Sequence, residues 1–111
     1  MDKLTQYRQY IQELLTEYAH HDHLEEGVET QLIFDTQRDH YQWSNVGWHG
    51  LHRVYHCIIH FDIKDGKIWL QQNLTDQNSA EELVKKGVPR TDIILGLQAT
   101  YKRVYTDYGV A

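Results

Sequence analysis

Cysteine occurs once in this chain of 111 residues, at position 57. One thiol cannot close an internal disulfide, and every motif built on paired cysteines is excluded with it. Cys57 stands in an alternating apolar run, which points to a buried, inert thiol. A nucleophilic cysteine needs an exposed position and a lowered pKa. Long apolar runs are also missing. Nothing approaches the ~20 residues of a membrane span, and no secretory h-region follows Met1. The chain is therefore expected to be soluble and cytoplasmic, with no membrane partner. Positive charge is short too: 11 Lys and Arg stand against 16 Asp and Glu, a net charge of −5 with His neutral. No basic cluster is longer than Lys85-Lys86 or Lys102-Arg103. Affinity for duplex DNA comes mainly from neutralising phosphates, so direct nucleic-acid binding is not expected. Gly-rich phosphate loops, the Walker pattern and H-E-x-x-H are all absent, and no cofactor is expected.

What is present suits one small globular domain, residues 1–111. Hydrophobic residues make up 41% of the chain, and eight Tyr and three Trp are many for this length. Such side chains fill cores, and they also favour interfaces where one end is apolar and the other wet.

The strongest local signal is Asp65-Gly66 between two alternating apolar runs. A type I′ turn needs φ > 0 at both central residues, which Asp-Gly supplies. That hairpin would set Lys64 opposite Lys67, Ile63 opposite Ile68, Asp62 opposite Trp69 and Phe61 opposite Leu70. Phe61, Ile63, Ile68 and Leu70 then share one face, and a slip by one residue would turn them all outward. The long strand over 51–64 would carry Tyr55, Cys57, Ile59, Phe61 and Ile63 inward, and His52, Val54, His56, Ile58, His60 and Asp62 outward. Upstream, 28–36 reads as a strand with Leu32 and Phe34 on one face, Ile33 and Asp35 on the other. Gln37-Arg38-Asp39 reverses the chain into a second strand over 41–48, where Asn45 and Gly47 invite a bulge. Residues 2–22 read as a helix: Leu4, Tyr7, Ile11, Leu14 and Tyr18 form a stripe widened by Leu15, and Asp2 caps it. His20-His21-Asp22-His23 is its solvated end. A second helix over 76–87 has Ser79 and Glu82 in capping-box spacing, Lys85 and Lys86 in its last turn, and Gly87 as terminator. Pro89 opens a short turn, 91–97 is apolar over a strand length, and the tail 101–111 is too aromatic to be left free. The fold class is α+β: an antiparallel meander of four strands or more, with the N-terminal helix and a second helix near 78–87 packed on one face.

Histidine raises the question of chemistry. His52, His56 and His60 are four apart, the spacing of a zinc pair on a helix. On a strand that interval is roughly 13 Å, too far for one ion with ~2 Å bonds. No metal is expected from those three. His60 and Asp62 lie on one face about 7 Å apart and can flank a polar spot with Gln71 and Trp69 across the ladder. A hydrolase or nuclease using Asp39, His40, His60 and Asp62 is the enzymatic alternative. Nothing else completes a reaction centre, and a polar network at an interface is the simpler reading.

Several blocks of sequence match a known family. Arg38-Asp39-His40-Tyr41-Gln42, Gly47-Trp48, His60-Phe61-Asp62-Ile63, Gly66-Lys67-Ile68-Trp69-Leu70-Gln71, Ile93-Ile94-Leu95-Gly96 and Tyr105-Thr106-Asp107-Tyr108-Gly109-Val110-Ala111 together resemble the XisI family. These are small, mostly cyanobacterial proteins named as excision controlling factors. The resemblance implies an accessory role in programmed excision of a DNA element during heterocyst development, beside a recombinase and a companion, XisH, that itself resembles nuclease folds. It implies no catalytic residues. Gly96-Leu97-Gln98-Ala99-Thr100 departs from the Gly-Phe-His-Pro-Pro of relatives, and Asn73 stands where an acid is common. The expected function is that of a non-enzymatic regulatory partner of a XisH-like protein, which also self-associates, most simply as a dimer. The contact surface is assigned to Arg38, His40, Tyr41, Trp48, His60, Asp62, Trp69, Gln71 and Arg103.

Overall fold

A computed structural model describes residues 2–111. Helix α1 (Lys3–His20) leads into strands β1 (Val28–Asp35), β2 (His40–His49), β3 (His52–Lys64) and β4 (Lys67–Asn73). Helix α2 (Ser79–Lys86), a 3-10 turn (Arg90–Asp92), β5 (Ile93–Leu95) and the short α3 (Thr100–Arg103) follow. The five strands form one sheet in the order β1-β2-β3-β4-β5. The first four are antiparallel, as expected. β5 is not a further turn of the meander: it pairs with β4 in parallel, and α2 supplies the crossover that parallel pairing requires.

Helix α1 forms where the stripe predicts it. The Asp2 carboxylate accepts the Thr5 backbone N–H, and Tyr7, Ile11, Leu14 and Leu15 are buried. They meet Tyr41 and Trp43 of β2, Ile59, Phe61 and Ile63 of β3, Ile68 and Leu70 of β4, and Ala80 and Leu83 of α2 in one core. The cap of α2 lies one residue earlier than the capping box suggests: Asn78, not Ser79, accepts the Glu81 N–H. Ser79 is fully buried in the first turn. Gly87 ends the helix at φ 118°, a conformation other residues adopt only with strain.

The Asp65-Gly66 hairpin has the expected register throughout, with φ of 53° and 76° at its two turn residues. The ladder between β2 and β3 does not run straight. Trp43 faces Ile59 and Ser44 faces Cys57, so Ile58 is an extra residue on β3. The expected bulge at Asn45 and Gly47 is thus displaced to Trp43–Ser44, with the added residue on the partner strand. This reverses the faces of the first half of β3. Ile59, Phe61 and Ile63 point into the core, but Tyr55 points away from it and is 74% exposed. The inward assignment of Tyr55 fails for that reason. A second irregularity makes Gln71 the extra residue of β4 opposite His60 and Phe61.

The tail is divided. The Tyr108 hydroxyl donates to Glu81 on α2, and Gly109 bridges to Ile94 in parallel. Tyr101, Val104 and Tyr105 remain exposed. Among the described residues, no helix is long and apolar enough to cross a membrane.

Candidate functional site

Helices α1 and α2 cover one face of the sheet. The other face carries the side chains that the bulges place there. His40 stands opposite Asp62 and Gln42 opposite His60. His40 Nδ1 and His60 Nε2 both lie 2.7 Å from Asp62 Oδ1, and Gln71 Nε2 donates to Asp62 Oδ2 at 3.1 Å. The His40 and His60 rings meet edge-on, with centroids 6.5 Å apart. Burial pushes the Asp62 carboxyl upward, but the hydrogen bonds from His40, His60 and Gln71 outweigh it and hold it below the usual range. The expected polar spot around His60 and Asp62, with Gln71 across the ladder, is present. His40 joins it only because of the Ile58 bulge. Continued without interruption, the pairing of His49 with His52 would bring Asp39, not His40, opposite Asp62.

Asp39 belongs to a different network. Its carboxylate accepts from Arg8 Nε at 2.8 Å, from Arg8 Nη2 at 3.2 Å and from the Tyr41 hydroxyl at 2.8 Å. Burial raises the Asp39 carboxyl, the Arg8 and Tyr41 contacts lower it, and the net displacement is downward. Burial, with the Asp39 carboxylate, pushes the Tyr41 hydroxyl well above its ordinary value. Tyr41 is fully buried in the core, so its assignment to a contact surface is corrected. The aromatic ring is needed inside, against Phe34 at 6.0 Å between centroids. The four residues of the enzymatic alternative therefore do not converge: Asp39 points toward α1, the other three to the open face.

Trp69 is flanked by two cations. Lys64 Nζ lies 4.9 Å and the Arg103 guanidinium 5.2 Å from its ring centroid. Arg103 also donates Nε to the Leu95 and Gln98 carbonyls, tying α3 to the end of β5. Gly96 passes so close to this group that a Cβ there would fall 2.4 Å from Gln71 Oε1 and 3.2 Å from the Trp69 ring. Arg38 sits at the rim and pairs locally with Asp35. Trp48 is half exposed at the far end of the open face. Arg53 lies over its ring at 5.5 Å and over Tyr55 at 5.7 Å. Ile33 of β1 is also exposed. Ile33, Val46, Tyr55 and Cys57 border a pocket of about 270 Å³. Arg53 and Tyr55 were not among the expected contact residues. Alternation alone hides them, because the bulge that turns them outward has no signature in the sequence.

The family model for XisI protein matches residues 1–110. No curated protein matches the chain. A solved XisI-like protein from Anabaena variabilis ATCC 29413 is 69% identical, with a TM-score of 0.95, covering 98% of this chain and 100% of that one. The solved fdxN element excision controlling factor XisI from Anabaena variabilis ATCC 29413 is 41% identical, with a TM-score of 0.87, covering 99% of this chain and 100% of that one.

Proposed function

The chain belongs to the XisI family, and we propose that it is a non-enzymatic accessory protein that acts by binding a XisH-like, nuclease-fold partner in programmed DNA excision. The observation that carries this reading is the open face of the sheet, where Trp48, Tyr55 and Ile33 are exposed with Arg53 between the two aromatic rings. Aromatic residues and Arg concentrate the binding energy of protein interfaces. The net charge of −5 favours a basic partner over nucleic acid, steering its approach and making the association salt-dependent. Tyr101 of helix α3 and Tyr105 just after it are exposed and extend the same apolar character beyond the sheet. The protein also pairs with itself through this uncovered surface, as a dimer.

Co-expression with the neighbouring reading frame, followed by co-purification, tests the proposal. A stable complex that weakens in W48A and Y55A while their melting temperatures hold supports it. A partner that elutes separately, or a complex indifferent to both substitutions, counts against it. Light scattering of the free chain tests self-association, and a monomer at micromolar concentration refutes that part.

A further inference from the structure

We propose that His40, His60 and Asp62 form a binding site for a divalent transition-metal ion of the zinc, cobalt or nickel type. One donor atom from each residue lies within 4.8 Å of the other two. All three project from two adjacent strands, so the sheet fixes their separations better than a loop would. Two imidazoles and one carboxylate suit ions of intermediate softness. Magnesium and calcium prefer oxygen alone.

Asp62 is the second support. Its side chain is only 17% exposed, and its charge partners among the described residues are the two imidazoles alone. No Lys or Arg among the described residues comes within ion-pair distance of it. A sheltered carboxylate against two rings that are not permanently cationic is a place where a dication gains more than in water. Gln71 holds the Oδ2 atom and leaves Oδ1 toward both rings, the orienting role that outer residues play around metal ligands.

The present 2.7 Å separations are those of hydrogen bonds. Donors around a tetrahedral ion with ~2.1 Å bonds sit roughly 3.4 Å apart, so each ring must withdraw by about 0.7 Å. His40, more than half exposed at the rim, has room for that movement. Three protein ligands leave the remaining position facing solvent. This is the arrangement of an open rather than a closed structural zinc site. The inference concerns occupancy by the ion and does not rest on the partner proposed above.

The test uses the full chain, free of any histidine tag and stripped with chelator. Titration calorimetry with zinc chloride should give one equivalent at micromolar affinity or tighter, with no response to magnesium. H40A, H60A and D62N should each weaken it by at least about tenfold, and H52A/H56A should leave it unchanged. The cobalt form should show the visible bands of a tetrahedral site. Should D62N fail to fold, imidazole resonances of the native chain carry the test. Zinc is expected to move His40 and His60. Absence of stoichiometric binding, retention of binding in H40A/H60A, or zinc-induced shifts confined to His20, His21, His23 or His49 would overturn the proposal.

Discussion

His40 lies directly across the ladder from Asp62 because Ile58, between them and the β2–β3 turn, has no partner on β2. One inserted residue therefore sets two things together: which face Tyr55 occupies, and which side chain meets the Asp62 carboxylate. Truncating Ile58 to Ala keeps the bulge and removes only packing. A loss of about 1–2 kcal/mol is expected for this partly buried side chain, below the range for a fully buried one. Deleting Ile58 instead makes Cys57 and Ile59 neighbours opposite Ser44 and Trp43, which straightens the ladder and keeps every other pair and face. Denaturant titration should show both the truncated chain and the deletion variant unfolding cooperatively. A deletion variant with no cooperative transition would show that the fold needs the bulge itself and not only the pairs on either side of it.

Gly96 is needed for contact, not for backbone conformation. A methyl group there would press on the Gln71 carboxamide and the Trp69 ring. The carboxamide is the mobile partner, so Gly96→Ala should displace it from Asp62 and cost about 1.5 kcal/mol, the lower end for a hydrogen bond to a charged group. The His60 imidazole resonance should shift in the variant, because its carboxylate neighbour is no longer held. An unmoved resonance with unchanged stability would mean that Gln71 does not anchor the carboxylate.

These two sites mark the boundary of what the sequence makes legible. The Asp65-Gly66 turn is encoded within four residues, and the register of Phe61, Ile63, Ile68 and Leu70 follows from it without any distant information. The α1 stripe is equally local. The Ile58 and Gln71 insertions are settled by competition between whole ladders, since every upstream residue must find a place once the core half is fixed. Hence Tyr55 and Cys57 read as interior in the pattern, while the folded sheet turns both outward. Tyr41 has the opposite history: its motif suggests recognition, yet its ring is a core element and its hydroxyl serves Asp39. The strand length over 91–97 is legible, but the parallel direction of β5 escapes for another reason. Three residues, Ile93–Leu95, make a strand only because β4 offers a free edge after α2 has carried the chain back.

Two tyrosines of α1 offer a controlled comparison. The Tyr7 hydroxyl donates to Asp92, which also pairs with Lys3 at 3.0 Å. The Tyr18 hydroxyl is buried with no hydrogen-bond partner among the described residues, and burial, with Glu82 and Glu17, pushes it up to about 12. Tyr7→Phe should lose about 1.5 kcal/mol, since it removes a hydrogen bond to a charged group. Tyr18→Phe should be neutral or slightly stabilising, because it deletes a desolvated hydroxyl that no protein group compensates. Thermal unfolding of the two single variants decides the matter. Equal losses would indicate that Tyr18 is hydrogen-bonded in solution.

Acid should act on the fold through Asp39, and the sign follows from the contacts around it. The carboxylate is held below its usual range because Arg8 and Tyr41 outweigh the opposing effect of burial. A carboxyl whose folded pKa lies below its unfolded value of about 3.9 contributes stability that is complete above that value and disappears as pH falls through the folded pKa. Arg8→Gln removes the forked guanidinium and leaves burial with less opposition, so the folded pKa of Asp39 should rise. The variant should therefore be less stable than the parent at pH 7. The difference should shrink as pH falls from about 4 through the folded pKa of Asp39, below which the carboxyl is neutral and the guanidinium has no charge to meet. Urea titrations of both chains at pH 7 and pH 3 measure this directly. A stability difference that is the same at both values would show that Arg8 supports α1 by packing its methylene stem against the sheet and not through the Asp39 carboxylate.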